Sequence, residues 1–337
     1  MLENKECLRD STEMPVDPFS DVLKLTNAEA VVTGGFTAGG PWAIRFPGRD
    51  KIKFFAAMKG SCFVNIEGEA EPIHFKTGDI GLLASRRSFV LASDLAVTPL
   101  DAMDLFSGSG RSMATLGDGN DFAHIGGHVM IDPVRGGMLA DILPTWIHAR
   151  AESPRAAVFR WLLDRLIEER DVGQPGAQLA SAQLTQLLFI EILRSHLSTA
   201  NLLPCGWLRA LADPRLAPAL RLMHGNPARS WRLEELAKSC AMSRTYFADR
   251  FRTVAGIAPL AYLTEWRMHL AQRALREERT AVAVIARSLG YSSESAFSNA
   301  FKRVKGISPT GYRATRSLSD VNLSRNPFPN GATDAVL

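Results

Sequence analysis

The chain has 337 residues, 46% of them hydrophobic and 22% charged, and a net charge of +4. This length exceeds one ordinary domain, and the balance is that of a globular protein, not a disordered or fibrous one. No apolar run is long enough to span a bilayer, and residues 1–16 lack the apolar stretch of a signal peptide, so the expectation is a cytoplasmic protein with no membrane partner.

Cys7, Cys62, Cys205 and Cys240 are scattered, which excludes a disulfide framework and a thiolate zinc site. The charge is unevenly placed. Residues 206–317 hold 19 Lys/Arg against 8 Asp/Glu, whereas residues 1–205 hold 19 against 25. A basic segment joined to an acidic one implies that only the first meets a polyanion.

In chain order, residues 1–16 are expected to be disordered, and 17–25 read as a short helix. From 29 to about 132 short apolar runs recur at 30–32, 42–46, 52–58, 62–66, 80–84, 89–92 and 122–131, separated by Gly-containing turns. Many short strands at close spacing indicate a sandwich or small barrel. Residues 108–119 read as a Gly/Ser loop, and beyond Pro133 the pattern turns helical, with a short helix at 138–143. Residues 155–169 place Val158, Trp161, Leu162, Leu166 and Ile167 near one helical face. Over 177–197 the apolar residues wrap more than one side, enough to pack on the strands and on a partner subunit. Residues 201–207, with Pro204, read as a linker. The tail 318–337 is rich in Asn, Ser, Pro and Gly and is expected to be disordered.

The segment 243–254 organises the rest. As a helix it gathers Phe247, Phe251 and Val254 on one face and leaves Arg244, Thr245, Ala248, Asp249 and Arg252 on the other. With the short helix before it, this describes a helix-turn-helix, whose second helix fits the DNA major groove. The unit recurs. Leu236-Ala237 returns as Ile285-Ala286 and Met242-Ser243 as Tyr291-Ser292, offset by 49 residues. Phe247, Phe251, Gly256 and Pro259 return as Phe297, Phe301, Gly306 and Pro309, offset by 50. An internal period of this kind means one supersecondary unit used twice. Residues 260–279 form a long helix between the copies. Ala241 stands at a turn position where glycine is the easier residue if φ is positive.

These residues, with Tyr262-Leu263, Trp266-Arg267, Leu289-Gly290-Tyr291, Ser308-Pro309 and Tyr312, closely resemble the double helix-turn-helix domain of the AraC/XylS family of transcription regulators, over about 208–317. Lys59-Gly60-Ser61-Cys62-Phe63, Gly68 and Thr77-Gly78-Asp79-Ile80 resemble half of a cupin jelly roll. The opening at Asp17-Pro18-Phe19 fits one AraC subgroup. The fold expected is therefore α+β and multidomain: a cupin-like β-barrel or jelly roll at 17–150, a helical dimerisation segment at 151–200, and an all-α DNA-binding domain.

The resemblance implies a sequence-specific regulator, an activator contacting RNA polymerase, that binds double-stranded DNA as a homodimer under a small organic effector. It implies no enzyme activity and no cofactor. A ligand-independent dimeric regulator, or a cupin enzyme fused to a DNA anchor, are the alternatives. Base edges fall to Thr245, Ala248 and Asp249 in the first reading helix and to Glu294, Ser295, Ser298 and Asn299 in the second. Phosphates fall to Arg244, Arg250, Arg252, Lys302 and Arg303. Many relatives carry Arg at the positions of Asp249 and Asn299, so Asp249 either reads cytosine or pairs with a neighbouring Arg. Metal-binding cupins need a His-x-His pair, and Phe54-Phe55-Ala56-Ala57 stands there instead. Trp42, Arg45 and His128 are the candidate effector contacts.

Overall fold

The computed structural model describes residues 16–26, 29–48, 51–84, 86–106, 113–130, 143–172, 174–198, 205–277 and 280–314. The readings made for residues 1–15, for most of 138–143, for 201–204 and for the tail lie outside these. The chain divides into two compact units; among the described residues one holds 26–198 and the other joins 16–25 with 205–314. No helix among the described residues is long and apolar enough to cross a membrane.

The first unit is built on eleven strands among the described residues. They are β1 (Glu29–Ala38), β2 (Ala43–Phe46), β3 (Ile52–Lys59), β4 (Ser61–Ile66), β5 (Ile73–Lys76), β6 (Ile80–Leu83), β7 (Phe89–Ala92), β8 (Leu100–Asp101), β9 (Met113–Leu116), β10 (Phe122–Met130) and β11 (Trp146–Ala149). They form a six-stranded sheet, β11-β6-β3-β10-β1-β9, and a five-stranded sheet, β5-β4-β7-β2-β8. Both are mixed, since β9 joins β1 and β8 joins β2 in parallel. The cupin-like jelly roll is thus two sheets and not one closed barrel. Alternation explains the layering: β4 buries Cys62, Val64 and Ile66 and turns Ser61 and Asn65 to solvent. Phe36, Trp42, Phe55, Phe75, Phe89 and Phe122 fill the core.

Two sequence expectations change here. Part of the expected loop at 108–119 is β9, and part of the region read as helical is β11, which pairs with β6. Both are four residues long, and pairing with a neighbouring strand, not their own pattern, makes them strands. A short helix α2 (Ala102–Phe106) follows β8.

Helices α3 (Ala156–Val172) and α4 (Ala177–Leu197) complete the unit. Phe159, Leu162, Leu163 and Leu166 of α3 and Leu188, Phe189, Ile192 and Leu193 of α4 are buried. Gln186 accepts the Ala30 N–H at 3.0 Å, tying α4 to β1. Glu191, buried in α4, accepts hydrogen bonds from Arg155 and, at 2.7 Å, from Arg194. On the outer side Leu179 is 68% and Trp161 56% exposed.

The second unit is helical: α1 (Pro18–Thr26), α5 (Trp207–Ala212), α6 (Ala217–Gly225), α7 (Leu233–Ser239), α8 (Arg244–Ala255), α9 (Pro259–Glu277), α10 (Val282–Ser288) and α11 (Glu294–Lys305), with a last helical turn at 309–314. By its contacts helix α1 groups with this unit. Its Asp21 carboxylate lies 3.4 Å from Nδ1 of the buried His224. His224 stacks on Trp266 at 4.1 Å and shares a 2.9 Å hydrogen bond with the Tyr262 hydroxyl. Burial pulls the imidazole pKa down, with Asp21 pulling the other way.

Candidate nucleic-acid interface

Each reading helix starts and stops by the same local rules. The Ser243 hydroxyl accepts the Tyr246 N–H at 3.3 Å, and the Ser293 hydroxyl accepts that of Ala296 at 3.1 Å. A serine N-cap satisfies one of the four N–H groups a helix end leaves open. At the far ends Gly256 and Gly306 each have φ 78°, a left-handed C-cap that glycine takes without a Cβ penalty. The true counterpart of Ser243 is therefore Ser293, and the additional residue of the second copy, Ser292, lies in its turn.

Inward, Phe247, Phe251, Phe297 and Phe301 are fully buried. The first pair stands 5.8 Å apart between ring centroids, and so does the second. Fixing these rings fixes what each helix shows outward. Arg244, Thr245, Asp249 and Arg252 of α8 are exposed and Ala248 is half-buried. On α11 Glu294, Ser295, Asn299, Lys302 and Arg303 are exposed and Ser298 is half-buried. The predicted base-reading residues thus share one surface on each helix.

The basic residues divide. Among the described residues no carboxylate pairs with Arg252, Lys302 or Arg303. Arg244 meets Glu234 at 3.0 Å, both exposed, a pair weak enough for a phosphate to displace. Arg250 is different. Its guanidinium donates to the buried Asp213 at 2.7 Å, so the structure holds it within the domain, bracing α8 against the end of α5. Asp249 forms no ion pair among the described residues. Tyr246, half exposed in the first turn of α8, also belongs to the surface. The helical pattern makes it legible there, but its counterpart in the second copy is Ala296, so comparing the copies hides it.

The two copies are fastened beyond α9. Arg267, on α9, donates from Nε to the Pro227 carbonyl at 2.6 Å and from Nη2 to that of Arg229 at 2.9 Å. Its guanidinium also lies 5.7 Å from the ring centroid of Tyr291, in the second turn. Gly290, at φ 83°, brings that turn so close that a Cβ would sit 1.9 Å from the Ala228 carbonyl oxygen. Rod, arginine and glycine together hold the second turn against the 227–229 loop that precedes α7.

In the strand-rich unit, Trp42 is buried with Phe36 at 5.1 Å and Phe122 at 4.9 Å. Arg45 is exposed on β2, and His128 is buried on β10, its pKa pushed down to about 4 by burial and then by Lys51 and Lys53. None of Trp42, Arg45 and His128 is among the described residues that line the cavity bordered by Lys53, Phe89 and His124. The signal that points to it is the set of glycines inside two paired strands, Gly34 opposite Gly126 with Gly35 and Gly127 next to them, where glycine marks close approach of another group.

The comparisons with known proteins agree with this geometry. A family model described as a cupin matches residues 17–198, and one described as a helix-turn-helix domain matches 236–315. Putative AraC-like transcription regulators of Streptomyces antibioticus and Streptomyces lividans are each 40% identical over 298 residues, covering 88% of this chain and 98% of theirs. The HTH-type transcriptional regulator AlkR of Acinetobacter baylyi is 32% identical over 284 residues, 81% of this chain and 91% of its own. Among solved structures, the DNA-binding domain of AdpA in complex with a target DNA is 32% identical over 34% of this chain and 97% of that one, with a TM-score of 0.29. With a doubled helix-turn-helix on a basic unit, a cupin-type unit before it and relatives similar along nearly their whole length, the chain belongs to the AraC family of transcription regulators.

Proposed function

We propose that the protein binds specific sites in double-stranded DNA through both reading helices, as a homodimer, and activates transcription by contacting RNA polymerase when a small organic effector occupies the cupin-type unit. The observation that carries this reading is the matched exposure of polar and basic residues on α8 and α11 over two equivalent buried cores. Thr245, Ala248, Asp249, Glu294, Ser295, Ser298 and Asn299 would face base edges, while Arg244, Arg252, Lys302 and Arg303 would face phosphates. Phosphate contacts set the register and base contacts the sequence preference. Helix α9 has 19 residues, about 28 Å at 1.5 Å per residue, against about 34 Å for one duplex turn. That length supports entry into successive major grooves. The exposed Leu179 and Leu187 on α4 support pairing with a second copy.

The test is binding of the full chain to operator DNA at two salt concentrations. Four phosphate-bound cations release enough counterions to weaken binding about a hundredfold between about 50 and 200 mM salt. A loss under about tenfold sinks the two-helix reading. For the dimer, Leu179→Glu is expected to yield monomer in sedimentation.

A further inference from the structure

Helix α9 carries both helix-turn-helix copies. Its first half is buried with the first copy, where Tyr262 meets Phe251 at 5.5 Å between ring centroids. Its second half, through Met268, Ala271 and Leu275, is buried with Ile285, Phe297 and Phe301 of the second copy. A shared helix sets how far apart two bundles stand. It leaves each of them free to rock, because packed helices slide past one another by small shears. Removing that freedom takes a second contact, away from the rod.

The structure has such a contact. The 227–229 loop leads into α7, the opening helix of the first copy, and is tied to it. Arg229 pairs with Glu235 at 2.6 Å and lies over the Trp231 ring at 4.0 Å, while the Trp231 indole donates to the Asn226 carbonyl at 3.0 Å. The second copy answers with its turn. Gly290 rests so close to Ala228 that any side chain there would strike the carbonyl. Tyr291 meets Phe297, in the core under α11, at 5.5 Å. Arg267 stands between loop and turn, donating to two loop carbonyls while its guanidinium lies 5.7 Å from the Tyr291 ring centroid. A planar fork with two fixed donors sets direction as well as distance, which a flexible ammonium does not.

We propose that Arg267 and Gly290 form a clamp that fixes how far apart the two half-sites of an operator must lie, so that this pair determines spacing specificity without touching a base. One inserted base pair moves a half-site about 3.4 Å along the duplex and about 34° around it. Clamped reading helices cannot follow that step. They must give up the base contacts of one half-site or distort the DNA, and either is costly. Unclamped helices follow it by rocking. The proposal rests on the two-helix reading of DNA above and adds the residues that set its geometry.

The experiment starts from operator duplexes enriched from random DNA by the full chain, with the two halves located by footprinting. Affinities of the wild type, Arg267→Met and Gly290→Ala are then measured on that operator and on versions with one base pair inserted or removed between the halves. The wild type is expected to lose about a hundredfold for either change, since several base contacts go at once. Arg267→Met is expected to lose about tenfold or less, with weaker binding at the natural spacing, and Gly290→Ala to act likewise from the other side of the contact. Should Arg267→Met not fold, Arg267→Lys, which lacks the planar fork, takes its place. A merely structural role lowers the melting temperature and weakens binding at every spacing alike. Folded variants as strict about spacing as the wild type therefore overturn the clamp and leave the two-helix reading standing. A wild type that binds all spacings equally, or a footprint over a single half-site, overturns both.

Discussion

The two helix-turn-helix units differ most where their turns tighten. At the first turn Ala241 has φ 52°, the one non-glycine residue with positive φ among the described residues. At the equivalent position of the second, Gly290 has φ 83°. Both turns need a left-handed residue, which an L side chain enters at about 1–2 kcal/mol. The second turn also presses on the Ala228 carbonyl, leaving no room for a Cβ. The same backbone demand therefore tolerates alanine where the turn is open and requires glycine where it is packed. The units also start differently: Glu235 reaches back to the Arg232 N–H at 2.9 Å before α7, whereas Ala281 offers α10 no side-chain cap. A repeat can keep its reading geometry while its supports diverge.

Mutation can break or sharpen this comparison. The largest effect is expected where the units are equivalent: Phe247→Ala and Phe297→Ala should each lose about 3–5 kcal/mol, since both rings are fully buried. Thermal melts in which one is silent would end the equivalence. The turns should respond with opposite signs. Gly290→Ala should destabilise by about 2 kcal/mol or more, through strain and collision, while Ala241→Gly should stabilise by about 1 kcal/mol. Denaturant unfolding of the pair measures both, and equal signs would mean the turns are not under the same demand. On DNA, Asn299→Ala should cost about 1–3 kcal/mol at one operator position and relax preference there, read by competition with operator variants. Asp249→Ala separates its two roles: lost preference at a cytosine marks a reader, unchanged preference a surface residue. The smallest effect is at the caps, where Ser243→Ala and Ser293→Ala should each cost about 1 kcal/mol and by similar amounts. Unequal melts would place the extra Ser292 in the capping.

The helical unit was legible within a few residues, and α4 to the residue, because apolar spacing and start and stop signals are local. The strands β5, β8, β9 and β11 were not. They span two to four residues, too few for alternation to stand out, and in β8 both Leu100 and Asp101 are exposed. Of the proposed contacts, α8 and α11 show theirs as the helical period requires, with Arg250 the exception. Its partner Asp213 lies 37 residues away, and no local pattern marks that pairing.

By itself, then, the sequence determined the doubled reading unit, its buried phenylalanines, the basic surface and the order of the two units, since all of these follow from periodicity, repetition and composition. Tertiary structure alone decided which arginine is tied up, that Arg267 and Gly290 lock the second turn to the 227–229 loop, that the strands form two separate sheets, and that four glycines and His124 line one cavity. Each of these depends on groups far apart in the chain meeting within a few ångströms, and such meetings leave no trace in local sequence.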